Sequence, residues 1–129
     1  MASREEDAAL LSRKIGGYES LGLTEQVEIL GGDHEISVPA KIDTGADRTA
    51  IDRRIAMAIE AARTGERFTT RYPKGGSRTR ELARIGVRIR GQVHFVDAVV
   101  DDRSNMSHQV LIGKDILTSG RFVIIPSEE

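Results

Sequence analysis

One short stretch of the chain places a carboxylate among small residues at the end of an apolar segment. Asp43-Thr44-Gly45-Ala46-Asp47 directly follows an alternating apolar run that ends at Ile42. A carboxylate in this position is either an acid–base catalyst or an ordinary turn residue, because Asp and Gly are common in turns. The Asp-Thr-Gly triplet alone is therefore weak support for catalysis.

A second element well downstream strengthens the catalytic interpretation. Val110-Leu111-Ile112-Gly113 has the pattern of a short buried strand, and residues 114–119 favour a short helix after it. Together the two elements resemble the retropepsin-like aspartic proteases. Residues 42–49 are similar to their active-site loop, and the apolar element with Gly113 is similar to their second signature. This resemblance implies a small closed all-β barrel with one or two short helices.

A narrower resemblance covers about residues 27–127. Residues 40–46, 102–106, 110–117 and 120–127 are similar to the RimK-associated, ATP-dependent zinc proteases, whose fold is retropepsin-like. The chain departs from that family at its N-terminus and at Asp52, where bacterial members often carry a histidine. The family's name implies zinc and ATP as further expectations.

The residues themselves give little support to a metal or nucleotide. His34, His94 and His108 are scattered, and the chain has no His-Glu-x-x-His motif and no phosphate-binding Gly-x-x-x-x-Gly-Lys-Ser/Thr loop. It also has no cysteine, which excludes thiolate metal sites, disulfides and a cysteine nucleophile. We expect no cofactor, and we keep a zinc peptidase as an alternative because of the family name.

The chemistry of an aspartic protease requires a second carboxylate. Two adjacent carboxylates share one proton, so that one acts as the base and the other as the acid on an attacking water. The chain carries one Asp-Thr-Gly motif, so Asp43 must meet the Asp43 of a second copy in a twofold homodimer. A non-catalytic, peptide-binding dimer of the same fold is the other alternative.

The resemblance also implies roles for the neighbouring residues. Thr44 would tie the two loops together across the axis, Gly45 would allow close backbone approach, and Ala46 lacks the hydroxyl of pepsin-like relatives. Thr49, Gly113 and Lys114 are expected to support the loop. The expected substrate-binding residues are Asp47, Lys74, Gly75, Gly76, Arg78, Arg80 and Ile112. Two simpler interpretations stay open: a plain ion pair between Asp47 and Lys114, and an ordinary turn at Gly75-Gly76 in place of the tip of a flap.

Short strands must position these residues. Residues 24–42 predict a β-hairpin around Gly31-Gly32-Asp33, and a helix with Thr49 as its N-cap is expected over residues 51–62. Further strands are predicted around residues 68–72, 82–90, 92–100, 110–112 and 122–125. Residues 1–23 are expected to form an appendage with a short helix closed by Gly16-Gly17, and residues 24–129 to form the domain.

The charge is unevenly distributed although the net charge is −1. Residues 63–90 contain nine basic and two acidic residues, a net charge of +7, which favours an anionic partner. We therefore expect peptide or protein substrates, with a preference for acidic, glutamate-rich ones. A nucleic acid is less favoured because aromatic residues are scarce. No apolar run is long enough for a transmembrane helix and no signal peptide is visible, so we expect a cytoplasmic protein that does not bind membranes.

Overall fold

Nine strands and two short helices make up residues 17–127, the part of the chain that the computed structural model describes. The helix expected near the N-terminus lies outside the described residues. The strands are β1 (Glu19–Leu21), β2 (Thr24–Gly31), β3 (His34–Ile42), β4 (Ala50–Asp52), β5 (Ala62–Arg71), β6 (Ser77–Ile89), β7 (Gln92–Asp101), β8 (Val110–Ile112) and β9 (Phe122–Ile124). The helices are α1 (Arg53–Ala58) and α2 (Lys114–Leu117).

Six of the strands close into a barrel. Their hydrogen-bonded order is β2-β3-β8-β4-β7-β6, and β6 returns to β2 through the Ile29–Val87 pair and its two neighbours. Alternate residues of each strand point inward, so that Val27, Ile29 and Val87 are completely buried. The prediction of a small closed all-β barrel with one or two short helices is confirmed.

The strand β5 lies outside this closed barrel and, among the strands that the structure describes, pairs only with β6. The first residues of β6, up to Arg80, pair with β5 alone, because the pairing with β7 begins at Glu81. Residues 67–81, which we call the distal hairpin, therefore extend beyond the barrel wall. Their turn is closed by a bond from the Tyr72 N–H to the Gly76 carbonyl (3.0 Å).

The packed domain begins earlier than expected. The strand β1 lies in the segment that the sequence assigned to an appendage, yet it pairs in parallel with β9, and Leu21 is fully buried in the core. The pattern of residues 1–23 did not show this, because a three-residue strand with a single apolar anchor has no recognisable period. No helix within residues 17–127 combines the length and apolarity required to cross a membrane.

The first helix is shorter than the apolar spacing predicted. Ile51 belongs to β4, where it pairs with Val100 and Val110, and the helix begins only at Arg53. Its N-cap is Asp52, whose carboxylate accepts the Arg54 N–H (2.9 Å), and not Thr49. Residues 50–52 form a strand and not a helical turn, because the fully buried Ile51 then fills the place between β7 and β8 in the sheet.

Candidate active site

Asp43 stands where β3 leaves the barrel wall. The parallel pairing of β3 with β8 continues to its backbone, since the Asp43 N–H donates to the Ile112 carbonyl (2.9 Å). Its Oδ1 accepts the Gly45 N–H (2.9 Å), and a Cβ at Gly45 would lie only 3.3 Å from that oxygen. Among the described residues nothing donates a hydrogen bond to Oδ2. The carboxylate is thus held by one oxygen and presents the other.

A buried hydroxyl ties the end of this loop to the second helix. The Thr49 side chain is completely buried; its Oγ1 donates to Asp115 Oδ1 (2.8 Å) and accepts the Gly113 N–H (3.2 Å). The Thr49 N–H donates to the other oxygen of Asp115 (2.9 Å). Asp115 was not among the predicted site residues. Its one available signal was its position beside Lys114 in a helix that follows a buried strand.

Close backbone packing also holds Gly113 and Lys114 against the loop that carries Asp43. A Cβ on Gly113 would meet the Arg48 carbonyl carbon at 2.6 Å and the Ala46 oxygen at 2.9 Å. The Lys114 N–H donates to that Ala46 oxygen (2.8 Å). Gly113 has an extended backbone, so glycine is needed here for space and not for its conformational freedom. The structure therefore places Thr49, Gly113 and Lys114, the predicted support residues, against the loop that carries Asp43.

Two predicted residues face outward from the loop. Asp47 and Lys114 form an ion pair (3.5 Å) with side chains 80% and 49% exposed, so solvent screens it and its contribution to stability is small. Thr44 is exposed as well. Ala46 is half-buried beneath them. The outward face of the loop is therefore available to a second molecule.

A cleft of about 310 Å³ opens beside the loop. Its walls come from the loop, from the distal hairpin, from β7 and from β8. The lining residues are Ala46, Asp47, Arg48, Ala50, Phe68, Thr70, Arg80, Val99, Asp101, Arg103 and Leu111. Ile112, expected to bind substrate, is fully buried in the core, and Leu111 lines the cleft instead. Neighbouring strand residues point to opposite faces, and the sequence alone assigned the wrong face.

The tip of the distal hairpin lies away from this cleft. Gly75 and Gly76 have φ of +95° and +89°, which a tight turn at this position requires and which glycine adopts without strain. Of the other predicted binding residues in the hairpin, Arg80 lines the cleft, whereas Lys74 and Arg78 do not. Arg78 pairs with Asp101 at the end of β7, and Arg80 pairs with the same carboxylate (2.8 Å). Asp101 thus anchors the base of the hairpin.

Most of the positive charge in residues 63–90 is paired. Arg63 pairs with Glu81, Arg84 with Asp97, Arg88 with Glu28 and Glu35, and Arg90 with Glu19. Within the described residues, Arg67, Arg71 and Lys74 are the bases of this segment that have no ion pair. Arg67 and Arg71 alternate with the cleft-lining Phe68 and Thr70, so they lie on the opposite face of the hairpin.

Arg103, which also lines the cleft, forms a buried polar centre with Asp52. Arg103 is 8% exposed, its N–H donates to Asp52 Oδ1 (2.7 Å), and its Nε donates to the His108 carbonyl (3.1 Å). Burial lowers the pKa of Arg103, while the carboxylates of Asp101, Asp52 and Asp43 act in the opposite direction. The sequence showed Arg103 only as part of a similar stretch, because burial of a loop arginine leaves no local pattern.

Burial and hydrogen bonding also compete at Asp52. Burial alone would raise its pKa, but hydrogen bonds from the Arg54 side chain and from the backbone N–H groups of Arg103 and Arg54 outweigh it and lower the pKa. The carboxylate is therefore ionised at neutral pH and joins α1 to the loop after β7.

The histidines do not form a metal site. His34 contacts Glu60, His94 lies between Gln92 and Ser119, and His108 contacts Ser107. No three His, Asp or Glu side chains within residues 17–127 are grouped so that they could hold a metal ion. The residues present thus do not fit zinc, which requires several nitrogen, sulfur or carboxylate ligands around one point.

Comparison with known proteins gives a consistent result. The model of the aspartyl protease family matches residues 26–116. A protein of unknown function from Legionella pneumophila has a similar structure (TM-score 0.59, 16% identity, 84% of this chain and 93% of that chain covered). So do the simian foamy virus protease (0.51, 13%, 70% and 86%) and the EIAV protease bound to an inhibitor (0.53, 18%, 74% and 85%). No curated protein sequence matches the chain significantly.

Proposed function

The chain belongs to the aspartyl protease family, and on that premise we propose that it is an endopeptidase whose two catalytic carboxylates are the Asp43 side chains of a homodimer. The observation that carries the proposal is the geometry of Asp43. One oxygen is held by the Gly45 N–H, and the other accepts no hydrogen bond from the described residues. The cleft opens beside the loop that carries Asp43 and is lined by Ala46, Asp47 and Arg48 of that loop.

The chemistry follows from two carboxylates in contact. Like charges at short distance disfavour double ionisation, so the pair holds one proton. The ionised carboxylate takes a proton from water, the water oxygen attacks the peptide carbonyl carbon, and the protonated carboxylate gives its proton to the carbonyl oxygen. When the C–N bond breaks, the pair gives its proton to the nitrogen and takes one from a hydroxyl of the tetrahedral intermediate, so that it again holds one shared proton.

In the proposed dimer, the outward face of the active-site loop contacts the same face of the loop in the second protomer. Support comes from the exposure of Thr44 next to Asp43, since Thr44 would contact the second loop, and from the single Asp-Thr-Gly motif in the chain. The symmetric arrangement makes one cleft from two half-sites. Sedimentation should show a dimer, and a structure of it should place the two Asp43 carboxylates within hydrogen-bonding distance.

The substrate would bind between the loop and the distal hairpin. We assign the hairpin the role of a flap, with Gly75 and Gly76 at its tip, and Asp47 the role of a contact to the substrate backbone. Lys74, Arg78 and Arg80 would favour acidic peptides, although Asp101 neutralises part of the charge of the two arginines. The narrower resemblance suggests glutamate-rich tails, because the family's name refers to a glutamate ligase of the RimK type.

The decisive experiment is cleavage of a peptide library by the wild type, by Asp43→Asn and by Asp33→Asn, each with and without a chelator. Asp43→Asn keeps the shape of the side chain but removes the acid–base pair, so cleavage should be lost while the dimer remains folded. Asp33 lies in the exposed β2–β3 turn and serves as the matched control that keeps full activity.

Two other outcomes of this experiment would each identify one of the alternative functions. Cleavage that survives Asp43→Asn and stops with the chelator would identify a zinc peptidase. A wild type that binds peptides without cleaving any of them would identify a non-catalytic binding dimer.

A further inference from the structure

Arg103 is a buried cation without a counter-ion in direct contact. It is 8% exposed, and of its side-chain N–H groups only Nε donates to a described residue, the His108 carbonyl. Within residues 17–127 no carboxylate lies at ion-pair distance from its guanidinium. The carboxylates of Asp101, Asp52 and Asp43 act on this charge only from beyond ion-pair distance. The Nη groups of Arg103 therefore keep donors for an anion that enters the cleft.

The same cleft contains a second arginine without an ion pair among the described residues. The Arg48 guanidinium lies over the Phe68 ring, 5.3 Å from its centroid, and Nη1 reaches the Asp97 carbonyl at 3.5 Å. A cation held by a ring face and a carbonyl keeps donors for a further acceptor. Two arginines from separate loops, residues 48 and 103, therefore line one cavity.

The acidic residues of the cleft are already engaged. Asp101 pairs with Arg78 and Arg80, and Asp47 pairs with Lys114. Their negative charge is largely offset, so it opposes an incoming anion only weakly. The cleft also has apolar lining residues, among them Ala50, Val99 and Leu111.

We propose that this cavity is a subsite for one acidic side chain of the substrate, with Arg103 as its specificity-determining residue and Arg48 as a second donor. A glutamate fits this chemistry, since its methylene groups would contact the apolar wall and its carboxylate would reach the guanidinium groups. Because Ala46 and Asp47 belong both to the cavity and to the Asp43 loop, the acidic residue lies next to the cleaved bond. The inference rests on the proposed function in that a peptide must occupy the cleft.

The experiment uses peptides that differ by a single Glu or Gln at each position around the cleaved bond. For the wild type, one position close to the bond should prefer Glu by about tenfold or more in kcat/KM, as expected for a desolvated charge pair. Arg103→Met should abolish that preference, and Arg103→Lys should retain part of it because the charge remains. Arg88→Gln, which removes an arginine paired with Glu28 outside the cleft, should keep the full preference.

Binding measurements separate this subsite from the proposed catalysis. The same peptides are titrated against Asp43→Asn, alone and combined with each Arg103 change, after thermal melting has confirmed folding. A Glu preference in binding without any wild-type cleavage would overturn the proposed catalysis and support the subsite. Cleavage with equal rates for Glu and Gln at every position would overturn the subsite, as would a preference that survives Arg103→Met. If Arg103→Met does not fold, the wild-type peptide series and Arg103→Lys decide the question.

Discussion

The loop that carries Asp43 and the distal hairpin beside it form two walls of one cleft, but they are fixed by different interactions. The loop is held by the buried Thr49, which donates two hydrogen bonds to the Asp115 carboxylate, and by Gly113, which packs directly against the loop backbone. The hairpin is exposed along most of its length and is attached at its base by the pairs to Asp101. The loop thus rests on buried, directional hydrogen bonds and close packing, whereas the hairpin is held at its base by ion pairs and is open to solvent along most of its length.

The largest expected difference concerns the two anchoring carboxylates. Asp115→Ala leaves the buried N–H and hydroxyl of Thr49 without an acceptor and should lower the free energy of unfolding by about 3 kcal/mol. Asp101→Ala removes the partner of the half-exposed Arg78 and of the mostly shielded Arg80, and should cost less, about 1 to 2 kcal/mol. Chemical denaturation of both variants measures the difference. Equal losses would show that the hairpin is fixed as firmly as the loop.

The next largest difference is expected between glycine substitutions in the loop and in the hairpin. Gly113→Ala drives a Cβ into backbone atoms at 2.6–2.9 Å, and such overpacking should cost up to about 3 kcal/mol and reduce peptidase activity. A Cβ at Gly75 meets nothing within 4 Å, so Gly75→Ala carries only the strain of its positive φ, about 1 kcal/mol. Thermal melting and peptide cleavage check both. A Gly113→Ala protein with wild-type stability would mean that the loop can move away.

A matched hydroxyl deletion tests the same contrast. Thr49→Val removes two buried hydrogen bonds at nearly constant volume and should cost about 2 kcal/mol. Thr69→Val removes the exposed bond to Thr79 (2.9 Å) and should change stability by less than about 0.5 kcal/mol, since valine also suits a strand. Urea titration at neutral pH compares them. A larger loss for Thr69→Val would reverse the contrast.

The smallest expected effect is the loss of stability in acid through Asp52, the N-cap of α1. Because the folded pKa of Asp52 lies below its usual value of 3.8, its ionised form favours the folded state. This contribution, about 1 kcal/mol for a helix cap, is present above the unfolded pKa and is lost as the pH falls through the lowered folded pKa. The stability gap between wild type and Asp52→Asn should therefore narrow from pH 6 to pH 3. A gap that widens in acid would contradict the assignment.

The sequence predicted the barrel and the place of Asp43 because both have local signals. Alternating apolar residues predicted the β2–β3 hairpin, and the Asp-Thr-Gly triplet with the downstream Gly113 located the loop. It did not identify Asp115 or Arg103, whose importance comes from burial against residues far away in the chain. It also placed Ile112 rather than Leu111 in the cleft, since a three-residue strand does not reveal which face is inward.

The parallel pairing of β3 with β8 has a consequence for the order in which the molecule is made. Roughly half of the chain separates Ile42 from its partner Ile112, and closing so long a loop slows the formation of such contacts. During synthesis Asp43 emerges well before the Ile112 carbonyl that its backbone contacts and before the Asp115 carboxylate that holds Thr49. A chain truncated before Val110 should therefore lack protected amides at Asp43 and Thr49 in hydrogen exchange. The nascent protease then has no formed active site until residues 110–115 have left the ribosome.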